Sequence, residues 1–281
     1  MIKKYVGKYF PIFLFPSVIA FFVAFVAPFI IGLYLSLCDF TTVTNARFVG
    51  LENYFKIFSE SSDFLNALWF TVKFTVVSVI SINVLAFALA LILTRPMKGT
   101  NGFRTGFFMP NLIGGIVLGY IWQIIINGVL GYFGVDITYA AKYGFWGLVI
   151  LTNWQQIGYM MIIYIAGIQN VPSDMLEAAD IDGASYFQKL RYIIIPTVSS
   201  AVTICTFLTL SNSFKLFDQN LALTGGAPGN QTAMLALDIY KTFYNRVGSE
   251  GVGQAKAVIF FVIVALIALV QQYLTRSRDT E

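Results

Sequence analysis

Six long, predominantly apolar stretches dominate the 281-residue sequence. Each of them reaches the length of about 20 residues that an α-helix needs to cross a hydrocarbon core. Because a bilayer offers the backbone no hydrogen-bond partner, such stretches cross it as helices. The sequence therefore predicts an all-α, polytopic membrane protein whose residues 1–281 form a single transmembrane domain. The predicted spans are Ile12–Leu37, Asn66–Thr94, Thr105–Asn127, Phe145–Gln169, Pro196–Lys215 and Lys256–Leu274.

Few charged residues accompany these stretches: 57% of the chain is hydrophobic and 11% is charged. A soluble domain carries charge on about 25% of its residues, so a soluble enzyme is excluded. The net charge of +4 is too small to predict a nucleic-acid partner. The chain lacks histidine, the commonest general base, and its two cysteines show no metal-type spacing. We therefore expect a non-enzymatic chain with no catalytic residue and no metal site, surrounded by membrane lipid.

The connecting segments differ in their content of Lys and Arg. One set contains ten basic residues and comprises 1–11, 95–104, 170–195 and 275–281. The alternate set contains five and comprises 38–65, 128–144 and 216–255. Because Lys and Arg are enriched in cytoplasmic connections, the pattern predicts that both termini and the segment 170–195 are cytoplasmic. The segment 216–255 is then an outer loop, and we expect the first stretch to remain as an anchor instead of being removed as a signal peptide.

Three lysines fall near the predicted outer ends of spans: Lys73, Lys215 and Lys256. We expect them to extend toward the membrane interface, where the ammonium group stays hydrated. Asp218 follows Lys215 by three residues, which is close to one turn of a helix. This spacing allows an ion pair between the two side chains if the helix continues.

Polar side chains cluster in the third, fourth and fifth predicted spans. Within a membrane each of them requires a hydrogen-bond partner or a water-filled cavity. Two interpretations remain open: hydrogen bonds between helices, or the lining of a solute path. Amides and hydroxyls without carboxylates suit an uncharged polyhydroxylated solute better than an ion. The clusters centre on Asn111 and Gly115, on Asn153 through Gln156, and on Thr209 through Ser213.

The segment 170–195 carries the signals of two short helices joined by a turn. Ser173 is placed to cap the first helix, and Gly183 is placed to end it in the left-handed conformation. Ser185 and Gln188 have the spacing of a capping box for the second helix. Pro196 is then placed at the start of the next span. The first helix has one acidic face, formed by Asp174, Glu177 and Asp180.

This segment resembles the EAA loop of binding-protein-dependent ABC importer permeases, through Glu177-Ala178-Ala179, Gly183 and Ile195-Pro196. The family usually has Leu at the position of Ile195. Two further stretches are similar to sugar permeases of this family: Phe48–Tyr54, before the second span, and Leu223–Gly229, in the outer loop. The second of them resembles the loop with which maltose-permease and glycerol-phosphate-permease subunits contact a binding protein. The resemblance covers about residues 12–275.

The resemblance implies the six-span permease core of an ABC importer that translocates a sugar or an oligosaccharide. It also implies three kinds of partner: a homologous second permease subunit, two cytoplasmic ATPase subunits and an extracytoplasmic solute-binding protein. ATP and Mg²⁺ would bind to the ATPase subunits, with no cofactor on this chain, at the cytoplasmic (inner) membrane of a bacterial-type cell. The residues implied in coupling to the ATPase are Glu177, Ala178, Ala179, Asp180, Asp182 and Gly183.

Two further sets of functional residues follow from the resemblance. The implied solute path comprises Asn111, Gly115, Asn153, Gln156, Met160, Thr209, Ser213 and Leu216. The implied contact with the binding protein comprises Thr224, Gly225, Gly226, Pro228 and Gly229. The family has more polar or aromatic residues at the positions of Gly115, Met160 and Leu216, so the solute need not be maltose.

An ion- or proton-coupled secondary transporter is the alternative function. Such proteins often carry carboxylates within the membrane, whereas all acidic residues of this chain lie outside the six predicted spans. The phosphate-binding pattern G-x-x-x-x-G-K-[ST] does not occur in the sequence, so ATP hydrolysis must reside on another chain. The sequence therefore favours the ABC importer.

Overall fold

The computed structural model describes residues 14–59, 63–95 and 97–276. The start of the first predicted span at Ile12 and the basic residues of segment 1–11, which support the predicted orientation, lie outside the described residues. The described part is mainly helical, as predicted, with one antiparallel pair of short strands, β1 (Cys38–Asp39) and β2 (Arg47–Phe48).

Twelve helices are numbered here along the described residues. They are α1 (Leu14–Leu35), α2 (Glu52–Ser59), α3 (Asp63–Leu93), α4 (Thr100–Phe108), α5 (Gly115–Gly131), α6 (Ala141–Gln169), α7 (Ser173–Ile181), α8 (Tyr186–Thr197), α9 (Ser199–Phe214), α10 (Asp218–Leu223), α11 (Leu235–Asn245) and α12 (Glu250–Arg276). Two of them, α1 and α8, each contain a π-helical turn. Short 3₁₀ turns occur at Val43–Asn45 and, directly after α4, at Met109–Leu112.

Four helices of the described chain are long and apolar enough to cross a membrane, namely α1, α3, α6 and α12. Two bent pairs also qualify if each pair is counted as one span, which gives up to six. In the first pair, Thr100–Leu112 and α5 meet at 103°, and in the second, α8 and α9 meet at 69°. The fold is therefore that of an all-α, multi-pass membrane protein.

The third predicted span, Thr105–Asn127, is not one straight helix. Ile113 has a ψ angle of 131° and Gly114 has one of 141°, so both residues leave the helical conformation. The carbonyl oxygen of Ile113 accepts a hydrogen bond from Nε2 of Gln155 at 3.2 Å, in place of a helical partner. Hydropathy does not reveal such a break, because the residues on both sides of it are equally apolar.

The fifth predicted span, Pro196–Lys215, contains a sharp bend near its start. Pro196 lies within α8, and the straight helix α9 starts at Ser199 after a bend at Val198. Proline removes the hydrogen bond to the carbonyl four residues earlier, which is a common cause of a sharp kink. Pro196, which was expected at the start of the span, thus lies in the last turn of α8, two residues before the bend.

The chain folds into two compact units. The first comprises the described residues up to Phe64 together with Ile239–Val262. Within it, the buried side chain of Asn53 donates hydrogen bonds to the carbonyl oxygens of Ser36 at 3.0 Å and Cys38 at 2.8 Å. The backbone of Gly251 lies so close that an added Cβ would be 2.8 Å from Nδ2 of Asn53. Asn53 thus connects the end of α1 and strand β1 with the start of α12.

Lys256 lies in the second turn of α12, and its residue is only 1% exposed. Its ammonium group donates a hydrogen bond to Oγ1 of Thr242 at 2.9 Å and lies 5.9 Å from the centre of the Phe64 ring. A buried cation needs such partners because it has lost its hydration. The expectation that Lys256 extends to the membrane interface is therefore wrong, whereas the side chain of Lys73 is exposed.

The second unit comprises Leu65–Asp238 and the described residues from Ile263 onward. Two apolar clusters form its core, and α3 and α6 contribute to both. The first apolar cluster includes Ile82, Ala86, Met160, Tyr164 and Cys205. The second apolar cluster includes Phe74, Leu148, Leu151, Leu216 and Leu223.

The loop between α5 and α6 contains a turn held by Asp136. Its carboxylate accepts hydrogen bonds from Oγ1 of Thr138 at 2.6 Å and from the backbone N–H of Thr138 at 2.7 Å. Both bonds stabilise the ionised carboxyl group, the bond from the hydroxyl more than the bond from the amide. They therefore lower the pKa of Asp136 below its usual value.

Candidate functional site

A polar cavity of about 360 Å³ lies in the second unit. Five amide side chains, one lysine and one aspartate account for most of its lining. The lining residues are Asn111, Gln155, Gln156, Asn212, Lys215, Leu216, Phe217, Asp218 and Gln219. Of the predicted solute path, the structure brings Asn111, Gln156 and Leu216 together here, although they are far apart in the sequence. Of the other six, Gln155 and Asn212 belong to the polar clusters noted in the sequence, and the remaining four were not predicted as path residues.

The amides of the cavity differ in their availability for a ligand. Gln219 donates from Nε2 to Oε1 of Gln155 at 2.8 Å, and Gln155 donates in turn to the carbonyl of Ile113. Oε1 of Gln156, by contrast, is buried and has no hydrogen-bond partner within the structure, while the residue is 6% exposed. Gln156 therefore retains an uncommitted acceptor beside the cavity, whereas Gln155 and Gln219 support the wall.

Lys215 and Asp218 both line the cavity, but no ion pair joins them in the described part of the chain. The predicted pair required one continuous helix. Instead, α9 ends at Phe214, and Asp218 is the first residue of α10. The predicted ion pair is therefore wrong, and a positive and a negative side chain are both available at the cavity wall.

Two predicted path residues pack against neighbouring residues and do not line the cavity. Met160 is fully buried in the first apolar cluster. Gly115, the first residue of α5, faces α10 so closely that an added Cβ would lie 2.7 Å from Cβ of Asp218. Gly115 thus supports the cavity wall by allowing two helices to approach, and neither residue lines the cavity itself.

The remaining predicted path residues lie in a polar layer that crosses three helices. We define the polar layer as Thr75, Ser78, Ser81 and Asn83 of α3, Thr152, Asn153 and Gln156 of α6, and Thr209 and Ser213 of α9. Nδ2 of Asn153 donates to Oγ of Ser81 at 3.0 Å, and Nδ2 of Asn83 donates to Oγ1 of Thr209 at 3.3 Å. These bonds hold the three helices together at one level.

The two short helices of segment 170–195 form as predicted, with one difference. Gly183 adopts a φ angle of +73°, which is the left-handed conformation expected of it. The capping box is also confirmed, with hydrogen bonds between Ser185 and Gln188 at 2.7 and 3.4 Å. Ser173, however, is the first residue of α7 and not its cap, because the capping position is occupied by Pro172.

The acidic face of α7 is exposed to solvent, including Glu177 and Asp180. Of the other residues implied in coupling, Ala178, Asp182 and Gly183 are exposed and Ala179 is half-buried. Asp180 accepts a hydrogen bond from Nζ of Lys189 at 2.5 Å, a pairing that the sequence did not reveal. This ion pair connects α7 to α8 and partly neutralises the acidic face.

The motif from Thr224 to Gly229, which was expected in an outer loop, is folded against its own neighbours. Oγ1 of Thr224 accepts hydrogen bonds from Nδ2 of Asn220 at 3.0 Å and from the backbone N–H of Gly226 at 3.1 Å. Thr224 and Gly226 are buried, whereas Gly229, with a φ angle of +50°, is exposed. Gly225 and Pro228 are half-buried. Most of the motif therefore shapes the loop, and its exposed part is Gly229.

Comparisons with known proteins agree with this arrangement. Residues 99–280 match the family described as "Binding-protein-dependent transport system inner membrane component". The probable starch degradation products transport system permease protein AmyD of Thermoanaerobacterium thermosulfurigenes is 44% identical, over 98% of this chain and 96% of AmyD. The trehalose/maltose transport system permease protein MalF of Thermococcus litoralis is 30% identical, over 85% of this chain and 84% of MalF.

A solved structure has a similar fold at low sequence identity. It is the crystal structure of a bacterial alginate ABC transporter in complex with an alginate pentasaccharide-bound periplasmic protein, one chain of which superimposes with a TM-score of 0.81. The match covers 98% of this chain and 96% of that chain at 18% identity. The resemblance noted in the sequence is thus confirmed, and the chain belongs to the family of binding-protein-dependent transport system inner membrane components, as a non-catalytic permease subunit of an ABC importer.

Proposed function

We propose that this chain translocates an uncharged sugar or oligosaccharide through the cavity of its second unit. The observation that carries the proposal is the buried, unpartnered Oε1 of Gln156 in a wall composed mainly of amides. The cavity volume of about 360 Å³ falls within the range of about 300–1,000 Å³ that is usual for small-molecule sites. The names of the two relatives, which refer to starch degradation products and to trehalose and maltose, support the same class of solute.

The proposal includes the partners and the orientation that the sequence indicates. A homologous second permease completes the path, an extracytoplasmic binding protein delivers the solute, and two cytoplasmic ATPase subunits hold ATP and Mg²⁺. Residues 1–281 act as one permease domain in the inner membrane, with both termini and segment 170–195 in the cytoplasm and segment 216–255 outside. The exposed Gly229 then faces the binding protein, at the end of a loop in which Thr224 binds the backbone of Gly226.

Segment 170–195 provides a path from the ATPase to the cavity. The exposed acidic face of α7 suits a basic cleft on the ATPase, and the Lys189–Asp180 pair transmits a movement of α7 to α8. The bend at Val198 joins α8 to α9, whose end contributes Asn212 to the cavity lining. Closure of the ATPase pair would thus move one wall of the cavity and alternate its access between the two sides of the membrane.

Reconstitution with the partner subunits tests the proposed solute class. A panel of sugars is screened for ATP hydrolysis that depends on the binding protein, and Gln156→Ala is compared with the wild type on the sugar that stimulates most. Loss of one hydrogen bond to the solute is expected to lower the stimulated rate about 5- to 10-fold. Gln169→Ala, an exposed glutamine at the end of the same helix, serves as the matched control. Unchanged stimulation in Gln156→Ala would contradict a role in solute binding.

Charge reversal at Glu177 tests the proposed coupling. Glu177→Lys places a cation on the exposed face of α7 and is expected to reduce uptake by about 100-fold, because like charges across an interface cost several kcal/mol. The amount of permease in the membrane should stay at the wild-type level, as measured by immunoblotting. Glu177→Gln, which only removes the charge, should retain part of the uptake. Normal uptake by the lysine variant would refute docking through this face.

A further inference from the structure

The polar layer separates the two apolar clusters on α3 and α6 and borders the first of them on α9. On α3 its residues Thr75, Ser78 and Ser81 fall between Phe74 of the second cluster and Ile82 of the first, and Asn83 follows Ile82 directly. On α6 it falls between Leu151 of the second cluster and Met160 of the first. On α9 it lies beyond Cys205, which belongs to the first cluster. Three helices thus replace apolar by polar residues at the same level of the core.

Several polar atoms in this layer are buried and lack any hydrogen-bond partner within the described structure. They are Oγ1 of Thr75, Oγ of Ser78, Oδ1 of Asn153, Oε1 of Gln156 and Oγ of Ser213. Each of these residues is at most 8% exposed. Other buried helix hydroxyls, such as those of Thr71 and Thr152, donate to the carbonyl four residues earlier at 2.7 Å.

These atoms lie close to the contacts that join the helices. Ser78 is about one turn from Ser81, which contacts Asn153, and Ser213 is about one turn from Thr209, which contacts Asn83. Gln156 belongs both to the layer and to the lining of the cavity. The polar layer and the cavity lining thus have Gln156 of α6 in common, and the buried layer residues of α3 and α9 lie deeper in the core.

The chemistry of the layer indicates what would satisfy these atoms. A buried polar atom without a partner costs free energy, and several of them in one layer require a partner that enters from outside the chain. The layer consists of hydroxyls and amides and contains no ionisable side chain. Such groups hydrogen-bond equally well with the hydroxyl groups of an uncharged sugar, as donors and as acceptors.

We propose that the polar layer extends the cavity and that Thr75 and Ser78 of α3 bind hydroxyl groups of the transported solute. This inference rests on the proposed function and adds to it a helix on which no path residue was predicted. It also provides a hydrogen-bond partner for the unpartnered Oγ of Ser213, a residue that does not line the cavity. Residues of α3 would then contribute to the choice between sugars.

Cysteine labelling of the assembled transporter tests whether the layer is open to the path. Ser78→Cys is treated with 2-hydroxyethyl methanethiosulfonate, a small uncharged thiol reagent, and the mass of the chain is measured. We expect labelling at least about tenfold faster than at Ala86→Cys in the first apolar cluster, because a hydrated thiol ionises and a buried apolar one does not. The native Cys38 and Cys205 are both fully buried and provide the background rate.

Labelling of Asn212→Cys in the cavity wall distinguishes a failure of the polar-layer inference from a failure of the proposed solute path. Labelling at Asn212→Cys without labelling at Ser78→Cys would overturn the assignment of the polar layer and leave the cavity in place. Absence of labelling at both positions would also overturn the cavity as the path. Protection of Ser78→Cys by the stimulating sugar would support the binding of the solute hydroxyls at this level.

Removal of the hydroxyl groups provides a second measurement. Ser78→Ala and the isosteric Thr75→Val are each expected to lower sugar-stimulated ATP hydrolysis about fivefold, with an unchanged or higher melting temperature, because an unpartnered hydroxyl does not stabilise the fold. A purely structural role predicts the opposite, namely a lower melting temperature with an unchanged stimulated rate. That second result in both variants would overturn the inference.

Discussion

Gly158→Ala will separate α4 from α6 and lower the melting temperature of the permease. A Cβ at position 158 would overlap the backbone carbonyl of Phe107 and come within 2.7 Å of the backbone nitrogen of Phe108. Because backbone atoms cannot move aside as a side-chain tip can, one of the two helices has to shift. Overpacking of this kind costs about 1–3 kcal/mol or more. The corresponding decrease in melting temperature is about 5–10 °C for a domain of this size.

The melting temperature is measured on the purified, detergent-solubilised protein. Gly106→Ala is the matched control, because Gly106 lies on the partner helix α4 and an added Cβ there meets nothing within 4 Å. This control should melt at or above the wild-type temperature, since alanine favours a helix over glycine by about 1 kcal/mol. Equal melting of the two variants would refute the close approach of α4 and α6 at Gly158.

Gly183→Pro will abolish uptake while leaving the permease in the membrane. Gly183 has a φ angle of +73°, and its N–H donates a hydrogen bond to the carbonyl of Asp180 at 3.1 Å. Proline fixes φ near −65° and has no N–H, so both features of the turn are lost, at a cost of about 3 kcal/mol or more. If this free-energy cost is borne by the docked state of α7 in the proposed coupling, it corresponds to a reduction in uptake of about 100-fold.

Gly183→Asn serves as the control for this prediction. Asparagine tolerates the left-handed conformation better than other residues with a side chain and retains the N–H, so this variant should keep most of the uptake. Uptake of a radiolabelled sugar and immunoblotting of the membrane fraction are the two measurements. If the proline variant transports as well as the asparagine variant, the turn at Gly183 has no part in coupling.

Local signals explain the parts of the fold that the sequence predicts well. The turn at Gly183 and the capping box of Ser185 and Gln188 each depend on residues close in sequence, and the structure contains both. The six apolar stretches likewise follow from composition over a window about as long as one span. The bends at Gly114 and Val198 were not predicted, because they depend on what the neighbouring helices offer to the freed backbone groups.

The candidate site was predicted only in part, for a similar reason. Hydropathy and motif spacing indicated Asn111 and Gln156, which do line the cavity. They gave no indication that Met160 points into an apolar cluster or that Gln219 and Asp218 close the wall. Whether a helical residue faces a cavity or a neighbouring helix is decided by tertiary packing, and a single sequence does not contain that information.

The contacts of Lys256 have a consequence for the order in which the chain enters the membrane. A lysine within a membrane-spanning helix opposes insertion of that helix alone, by up to about 2.5–3.5 kcal/mol at the helix centre and by less toward its ends, where Lys256 lies. Thr242 and Phe64, which contact its ammonium group, both precede it in the chain and are synthesised before it. We therefore expect cooperative biogenesis of α12, in which this helix integrates more readily by docking onto segments that the ribosome has already delivered than as an independent insertion event.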